Sequence, residues 1–427
     1  MYRRNAASTT GVDTIASFFR LRSRAISLTF WVLALAAIPL WIHFDKPGWD
    51  IVFYRNAITA LQAGHDPYLD AMAVQRAFHA TLAQHPNDTP PYSYVYSPMT
   101  LPLLRLLGSL PVWFSGSLYW LAVALGAFVP VFVMLRVKAE PDADFFRIVA
   151  PVAIFFPGLI AQDTVLSGNV AFVLYGLVLL GAYFGWWRNR WLWCYAAILI
   201  ASVFKAPLLC LVVIPLFSAR KQWLPATITG FLGSALFAIQ ALLWPSLFHH
   251  FLQAVELQFS YNRDFGSSPA GVFSYIITGH GISYSPASEI FYLAYAIVIF
   301  ATLFHLSRKF LAGVFTLSQW VPVLLLGAVM LNPRLMEYDL APLALPMALI
   351  GWRFTRRLSD SSAAVAIYFS IFLAANLIGA GINGCWKPTE CILLVASFVA
   401  GCWTLLHPAP DASSTTTLNE THAVKMA

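Results

Sequence analysis

Long apolar runs separated by short basic clusters constrain this chain more than any other feature. Twelve such runs can be drawn along its 427 residues: 26–44, 114–135, 145–161, 167–186, 191–204, 206–218, 223–244, 289–306, 318–331, 338–352, 363–382 and 389–406. A soluble core cannot hide that much apolar surface. Here 59% of residues are apolar and 11% are charged, against roughly 25% charged in an ordinary soluble domain. In a bilayer a helix satisfies its own backbone hydrogen bonds, and about 20 residues cross the hydrocarbon core. The pattern predicts an all-α, polytopic membrane protein with about 12 transmembrane helices.

The net charge of +7 is distributed as membrane proteins distribute it, and no nucleic-acid partner is expected. Basic residues occupy alternate connections: Arg136, Lys138 and Arg147; Arg188 and Arg190; Arg220 and Lys221; Arg308 and Lys309; Arg353, Arg356 and Arg357. With Arg3, Arg4, Arg20, Arg22, Arg24 and Lys425 these make 18 of the 26 basic residues. The opposite connections carry 8 basic and 12 acidic residues. The positive-inside rule assigns the first set to the cytoplasm, which puts both termini inside and predicts a multi-pass protein of the cell (inner or plasma) membrane. The first run is too long for a signal-peptide core and reads as an uncleaved span. The expected organisation is a basic N-terminus, 1–25, a polytopic domain, 26–406, and a Ser/Thr-rich, disordered cytoplasmic tail, 407–427. Runs 191–204 and 206–218 are short. As two spans they meet outside at Lys205-Ala206-Pro207; as one kinked span over 191–218 they would put Arg220 and Lys221 outside. The charge alternation favours two.

Two long connections, 45–113 and 245–288, fall outside. In the first, Ile51, Tyr54, Ile58 and Leu61 share a helix face, and Gly64-His65-Asp66-Pro67 ends that helix. Asp70–His85 reads as a second helix, Pro90–Pro98 as an aromatic loop, and Met99–Leu110 as a helix on the membrane surface. The second connection contains a helix near Ser246–Phe259, a polar stretch, Ser260–Ser268, and a helix started by Pro269. No internal repeat is present, which weighs against a transporter.

Polar residues with chemical potential converge on the outer side. Asp50 lies six residues past the first run. It is either a helix-end acid favoured by the helix dipole or a general base at the interface. Lys205 stands between two short apolar runs, where a charge is costly without an anionic partner or a water-filled cavity. Gln162-Asp163, Ser167-Gly168-Asn169, Arg263-Asp264 and the stretch Asn332-Pro333-Arg334-Leu335-Met336-Glu337-Tyr338-Asp339 fall on the same side. Each alone is an ordinary polar turn; together, beside two covering loops, they are candidates. Asp142-Ala143-Asp144 falls in a cytoplasmic loop and is set aside. His249-His250 has no carboxylate or cysteine at ligand spacing, so no metal site is expected. No phosphate-binding glycine loop, Gly-x-Ser-x-Gly elbow or His-Glu-x-x-His is present.

Several local strings carry a resemblance. They are Trp49-Asp50 with Phe53-Tyr54, Ala60 to Gly64-His65-Asp66-Pro67-Tyr68, Tyr94 to Tyr96-Ser97-Pro98, Ser167-Gly168-Asn169, Lys205-Ala206-Pro207, and Ser267-Ser268-Pro269-Ala270-Gly271. Together they resemble the C-type superfamily of membrane glycosyltransferases, most closely its family 87, which includes the polyprenol-phosphate-mannose-dependent mannosyltransferases. The resemblance covers about residues 26–350. That family often has histidines where this chain has Met336, Glu337, Tyr338 and Asp339, and Gly-Gln where this chain has Leu166-Ser167-Gly168. The resemblance therefore leaves the sugar and the acceptor unassigned.

What it implies is a C-type glycosyltransferase-like fold and a hexosyltransferase of cell-envelope glycolipid biosynthesis. Such an enzyme moves mannose, or another hexose or pentose, from a polyprenyl-phosphate donor to a lipid or glycan acceptor at the outer face, with inversion. Asp50 would be the catalytic base. Lys205, Arg334 and Arg263 would bind the donor phosphate. Trp49, Tyr54, Asp66, Tyr68, Tyr94, Tyr96, Asn169, Glu337 and Tyr338 would line the substrate site, the loop tyrosines either stacking on a sugar or seating the loop. The lipid-linked sugar is a substrate, and neither a cofactor nor a metal is expected when cations take up the phosphate charge. The partners are the donor, the acceptor and membrane lipids. The competing reading is a transporter or flippase of lipid-linked sugars, which alternating access would furnish with polar residues on both faces.

Overall fold

The computed structural model of the chain describes residues 48–81, 94–137, 165–262, 266–277, 286–358 and 386–407. The expected runs 26–44, 145–161 and 363–382 lie outside these residues, as do 1–25, the tail from 408, Gln162-Asp163 and Arg263-Asp264. Every regular element described is a helix; one isolated bridge pairs Gly266 with Leu335. The all-α expectation holds to that extent.

In the first long connection, α1 (Trp49–Gln62) and α2 (Pro67–Ala80) lead to α3 (Leu101–Gly108). Next come α4 (Val112–Arg136), α5 (Ala171–Arg188), α6 (Leu192–Phe204), α7 (Ala206–Ser218) and α8 (Trp223–Leu243). The second long connection forms α9 (Pro245–Asn262) and α10 (Pro269–Ile277), and the chain continues through α11 (Pro286–Leu311) and α12 (Leu317–Met330). A one-turn α13 (Glu337–Leu340), α14 (Ala344–Leu358) and α15 (Trp386–Leu406) complete the order. Among the described residues, five helices are long and apolar enough to cross a membrane: Val112–Arg136, Ala171–Arg188, Trp223–Leu243, Glu289–Leu311 and Pro388–Leu406. Their exposed faces carry Leu121, Phe128, Phe231, Leu242 and Ile297, surface that lipid tolerates and water does not.

Two boundaries differ from expectation, each for a local reason. Helix α2 begins at Pro67, not Asp70, because the Asp66 carboxylate accepts the Tyr68 N–H at 2.9 Å and Pro67 needs no donor there. Run 338–352 is not one helix. Pro342 and Pro346 lack the N–H that a continuous helix requires, so α13 and a 3₁₀ turn, Ala341–Leu343, precede α14.

Side-chain ties fix which helix ends lie together. Trp186 donates its indole N–H to Ser218 Oγ at 2.9 Å, and Tyr195 donates its hydroxyl to Gln222 Oε1 at 3.1 Å. The start of α6 and the end of α7 are therefore at the same end of the molecule, and the chain reverses at Lys205. The alternative of one kinked helix over 191–218 does not describe the fold. Arg220 donates to the Leu311 carbonyl (3.1 Å), Arg353 to the Ser318 carbonyl (2.8 Å), and Arg357 to the Thr404 and His407 carbonyls. The described basic connections thus gather at one end, where cations also meet helix C-terminal carbonyls favourably.

Helices α4 and α5 cross with backbones in contact. A Cβ on Gly126 would lie 2.3 Å from the Phe172 carbonyl oxygen, and one on Gly176 would lie 2.6 Å from the Gly126 Cα. Small residues permit this approach, and dispersion across the contact helps hold helices where lipid removes the hydrophobic drive. Gly126→Ala is expected to cost about 1–3 kcal/mol, the range for overpacking, because neighbouring backbone cannot yield as a side chain can. Gly116 in the same helix has open space around it, so Gly116→Ala should be neutral or stabilising by up to about 1 kcal/mol. Thermal unfolding of the two variants in detergent checks the difference.

The two long connections share a small core of their own. Tyr68, Met72, Tyr94, Leu101, Leu104, Phe251 and Ala254 are buried together. The Tyr68 hydroxyl donates to the Tyr96 carbonyl at 2.7 Å, and the Tyr94 hydroxyl pairs with Thr100 Oγ1 at 2.6 Å. Asp66 Oδ2 meets His250 Nδ1 at 2.7 Å, clasping α2 to α9. The sequence neighbourhood of His250 holds no carboxylate; the fold supplies one from 184 residues away.

Candidate functional site

The site lies at the end opposite the basic connections, where two glycine turns interlock. Gly48, at φ +87°, donates its N–H to the Leu166 carbonyl at 2.7 Å. Gly168, at φ +72°, has Ile51 so close that a Cβ would lie 2.8 Å from its side chain. Tyr119 of α4 donates its hydroxyl to the Gly168 carbonyl at 2.7 Å. Positive φ at both positions suits glycine and strains other residues. The result places Asp50, in the first turn of α1, beside Asn169, at the entry to α5.

Asn169 then joins a carboxylate to a cation. Its Nδ2 donates to Asp50 Oδ2 at 3.0 Å. Its Oδ1 accepts the Ala171 N–H at 2.9 Å and faces Lys205 Nζ at 3.4 Å. Two donors on one side of the amide determine which atom is oxygen, leaving the NH₂ for the carboxylate. The Asn169 N–H is itself held by Ser167 Oγ at 3.1 Å. Lys205 reaches this point because α6 ends at Phe204 and Lys205 is extended before the new turn at Ala206. Its Nζ lies 3.9 Å from the centre of the Tyr338 ring, a cation–π contact.

Tyrosines surround the pair. The Tyr54 and Tyr96 hydroxyls are 2.9 Å apart, and the Val170 N–H donates to Tyr54 at 3.3 Å. The Tyr119 ring centre is 5.7 Å from that of Tyr54. Burial pushes the Asp50 carboxyl above its ordinary range, while hydrogen bonds from Asn169 and Ser167 and the Lys205 charge pull it back. Burial likewise raises Tyr54 and Tyr96, so both remain hydroxyls near neutral pH.

The second long connection braces the turn bearing Arg334. Ser267 donates its N–H to the Leu335 carbonyl at 2.7 Å, and Ser268 Oγ donates to the Pro333 carbonyl at 2.6 Å. Asn332 Oδ1 accepts the Arg334 N–H at 3.2 Å. Gly266 packs so tightly on Leu335 that a Cβ would overlap its carbonyl. Ser267 also donates to the Glu390 carboxylate of α15. Lys205 is attracted by Asp339 and Asp50 and opposed by Arg334.

Of the residues singled out in the sequence, Asp50, Tyr54, Tyr96, Asn169, Lys205 and Tyr338 meet directly or through one intermediary, with Arg334 in electrostatic reach. Glu337 starts α13 beside them, and Trp49 opens α1. Tyr68 and Tyr94 lie in the small core shared by the two long connections, and Asp66 caps α2 and meets His250 beside it. Arg263 lies outside the described residues. Sequence reasoning missed Tyr119, which sits mid-run in an apolar helix without a local signal. It also missed Gln240, whose buried Oε1 accepts the Met99 N–H at 3.0 Å, and it assigned no role to Asp339. No group of three or more His, Cys, Asp or Glu side chains arranged for a metal ion occurs among the described residues.

This arrangement pairs a proton acceptor with a nearby cation at the edge of an apolar bundle. If Asp50 serves as a base it must be deprotonated to act, so activity through it would rise with pH across its pKa. Because burial raises that pKa, the acid limb of kcat/KM is expected above the ordinary carboxylate range. Asn169→Ala removes a hydrogen bond that favours the charged form and should move the limb higher still. A pH–rate profile of both proteins tests the direction. Comparison with protein-family models, with curated proteins and with solved structures finds no match to the chain.

Proposed function

We propose that this chain is an integral-membrane glycosyltransferase of the C-type kind, related to family 87, that uses a polyprenyl-phosphate sugar as donor. The observation carrying the proposal is the Asp50–Asn169–Lys205 connection. It puts a carboxylate and an ammonium on one amide, beside a second cation, Arg334, and a set of half-buried tyrosines. A donor with a hydrocarbon tail must be bound from the bilayer, and this cluster sits at the end of the helices, beneath amphipathic outer stretches.

In the proposed reaction the acceptor hydroxyl gives its proton to Asp50 as its oxygen attacks the anomeric carbon. The bond from that carbon to the phosphate oxygen breaks with its electron pair, and polyprenyl phosphate departs from the opposite face. The sugar is thereby inverted. Charge growing on the leaving phosphate is met by Lys205 and Arg334, cations already in place before the bond breaks. The twelve-span topology and an extracytoplasmic active site belong to the same proposal, supported by the gathering of basic connections at the far end.

Mass spectrometry of lipid-linked and envelope glycans tests the assignment in cells. Cells producing Asp50→Asn in place of the wild type should lose one glycosylated species and accumulate its precursor lacking that sugar. Identical glycan profiles in the two strains would contradict it.

A further inference from the structure

We propose that Asp339 is a positioning residue for the transfer step: it is the resident counter-ion of Lys205, and the donor phosphate takes over that role in each turnover. The inference rests on the glycosyl-transfer reading of the site. Asp339 is 3% exposed and lies in α13. Its Oδ2 accepts the Met336 N–H at 3.0 Å. Its Oδ1 is buried beside the Tyr175 hydroxyl from α5, a hydrogen-bonding neighbour that brings no charge of its own. A buried carboxylate is costly in an apolar bundle, and such a charge persists only with compensation. Lys205 and Arg334 supply it, since both attract Asp339. The adjacent Tyr338 holds its ring 3.9 Å from Lys205 Nζ. One short helical turn thus presents an aromatic face and a carboxylate to a single ammonium.

Before substrate arrives Lys205 and Arg334 face Asp50 and Asp339, with Glu337 beside them. Attraction between Lys205 and Asp339 acts through space, without a closed ion pair, so the ammonium retains hydrogens for an incoming anion. A donor phosphate brings its own negative charge and competes with Asp339 for Lys205. After transfer, Asp339 draws Lys205 back and favours departure of the polyprenyl phosphate. Removing the Asp339 charge should therefore strengthen phosphate binding and slow product release.

Asp339→Asn keeps the side-chain shape and an oxygen for the Met336 N–H while removing the charge. The probe is a short-chain polyprenyl monophosphate without sugar, titrated calorimetrically into purified full-length protein in detergent. The variant is expected to bind it about tenfold tighter, with a matching rise in its potency as a product inhibitor. That gain should disappear in a Lys205→Ala background, as a double-mutant cycle requires for a residue acting through another. A role confined to capping α13 predicts no change in affinity, and equal or weaker binding by Asp339→Asn overturns the proposal. If the single variant does not fold, the Lys205→Ala/Asp339→Asn protein provides the decision. Recovery of folded yield supports the pairing, because both charges are gone; failure to recover overturns it. A wild type that does not bind the probe removes the donor reading and this proposal together. A wild type that binds it, with unchanged affinity in Asp339→Asn, removes this proposal alone.

Discussion

Asp50→Asn is expected to lower turnover by roughly 10²–10⁴-fold, the usual scale for removing a general base, and to leave folded protein largely intact. Asparagine retains size and can still accept the Asn169 N–H that now meets Asp50 Oδ2 at 3.0 Å. What it cannot do is take a proton at neutral pH. The two readings of Asp50 separate here. As a first-turn acid favoured by the helix dipole, it contributes about 0.3–1 kcal/mol to stability and nothing to turnover. As a base it is indispensable to the rate. Kinetics on purified variant and wild type at matched folded concentration decide between them, and near-normal turnover would return Asp50 to its helix-end role.

Lys205→Ala is expected to reduce kcat by about 10²–10³-fold, the scale seen when a preorganised donor to developing negative charge is removed. The donor KM should rise as well, because the ammonium meets phosphate in the bound state and in the transition state. Lys205→Arg should recover part of both effects. It keeps the charge, but a planar guanidinium cannot reproduce a compact ammonium 3.9 Å from the Tyr338 ring and 3.4 Å from Asn169. Unchanged kcat and KM in Lys205→Ala would remove this residue from the phosphate site.

The parts of the fold legible in sequence are those dictated by lipid and by local chain chemistry. A helix in a bilayer must be apolar over most of its length, so Val112–Arg136 and Trp223–Leu243 stand out as runs. Charge placement separated the two ends of the bundle, and Lys205-Ala206-Pro207 marked a reversal because a charge and a proline interrupt apolar sequence together. Run 338–352 misled because hydropathy ignores the missing N–H groups of Pro342 and Pro346. Asp50 after a glycine turn and Asn169 after Ser167-Gly168 carry strong local signals, and the fold brings the two together. Residues whose surroundings depend on a distant partner carry no such signal. Tyr119 meets Gly168 only in the fold, His250 likewise meets Asp66, and Asp339 lies near Lys205 and Tyr175 from distant parts of the chain. The loop tyrosines show the converse. In sequence Tyr68 and Tyr94 suit either stacking on a sugar or seating the loop; in the fold their rings pack in a shared core with Phe251.

The central claim is that Asp50 and Lys205 serve one glycosyl transfer. Its most direct measurement is product formation by purified protein in detergent, given a synthetic polyprenyl-phosphate sugar, candidate acceptors and a chelator. Detergent solution has no second compartment, so a flippase has no work to do there, whereas a transferase still makes a glycosidic bond. The account predicts a product of inverted anomeric configuration that forms in the presence of chelator and is lost with Asp50→Asn. A product that forms equally with Asp50→Asn, or that retains the donor's anomeric configuration, would contradict it.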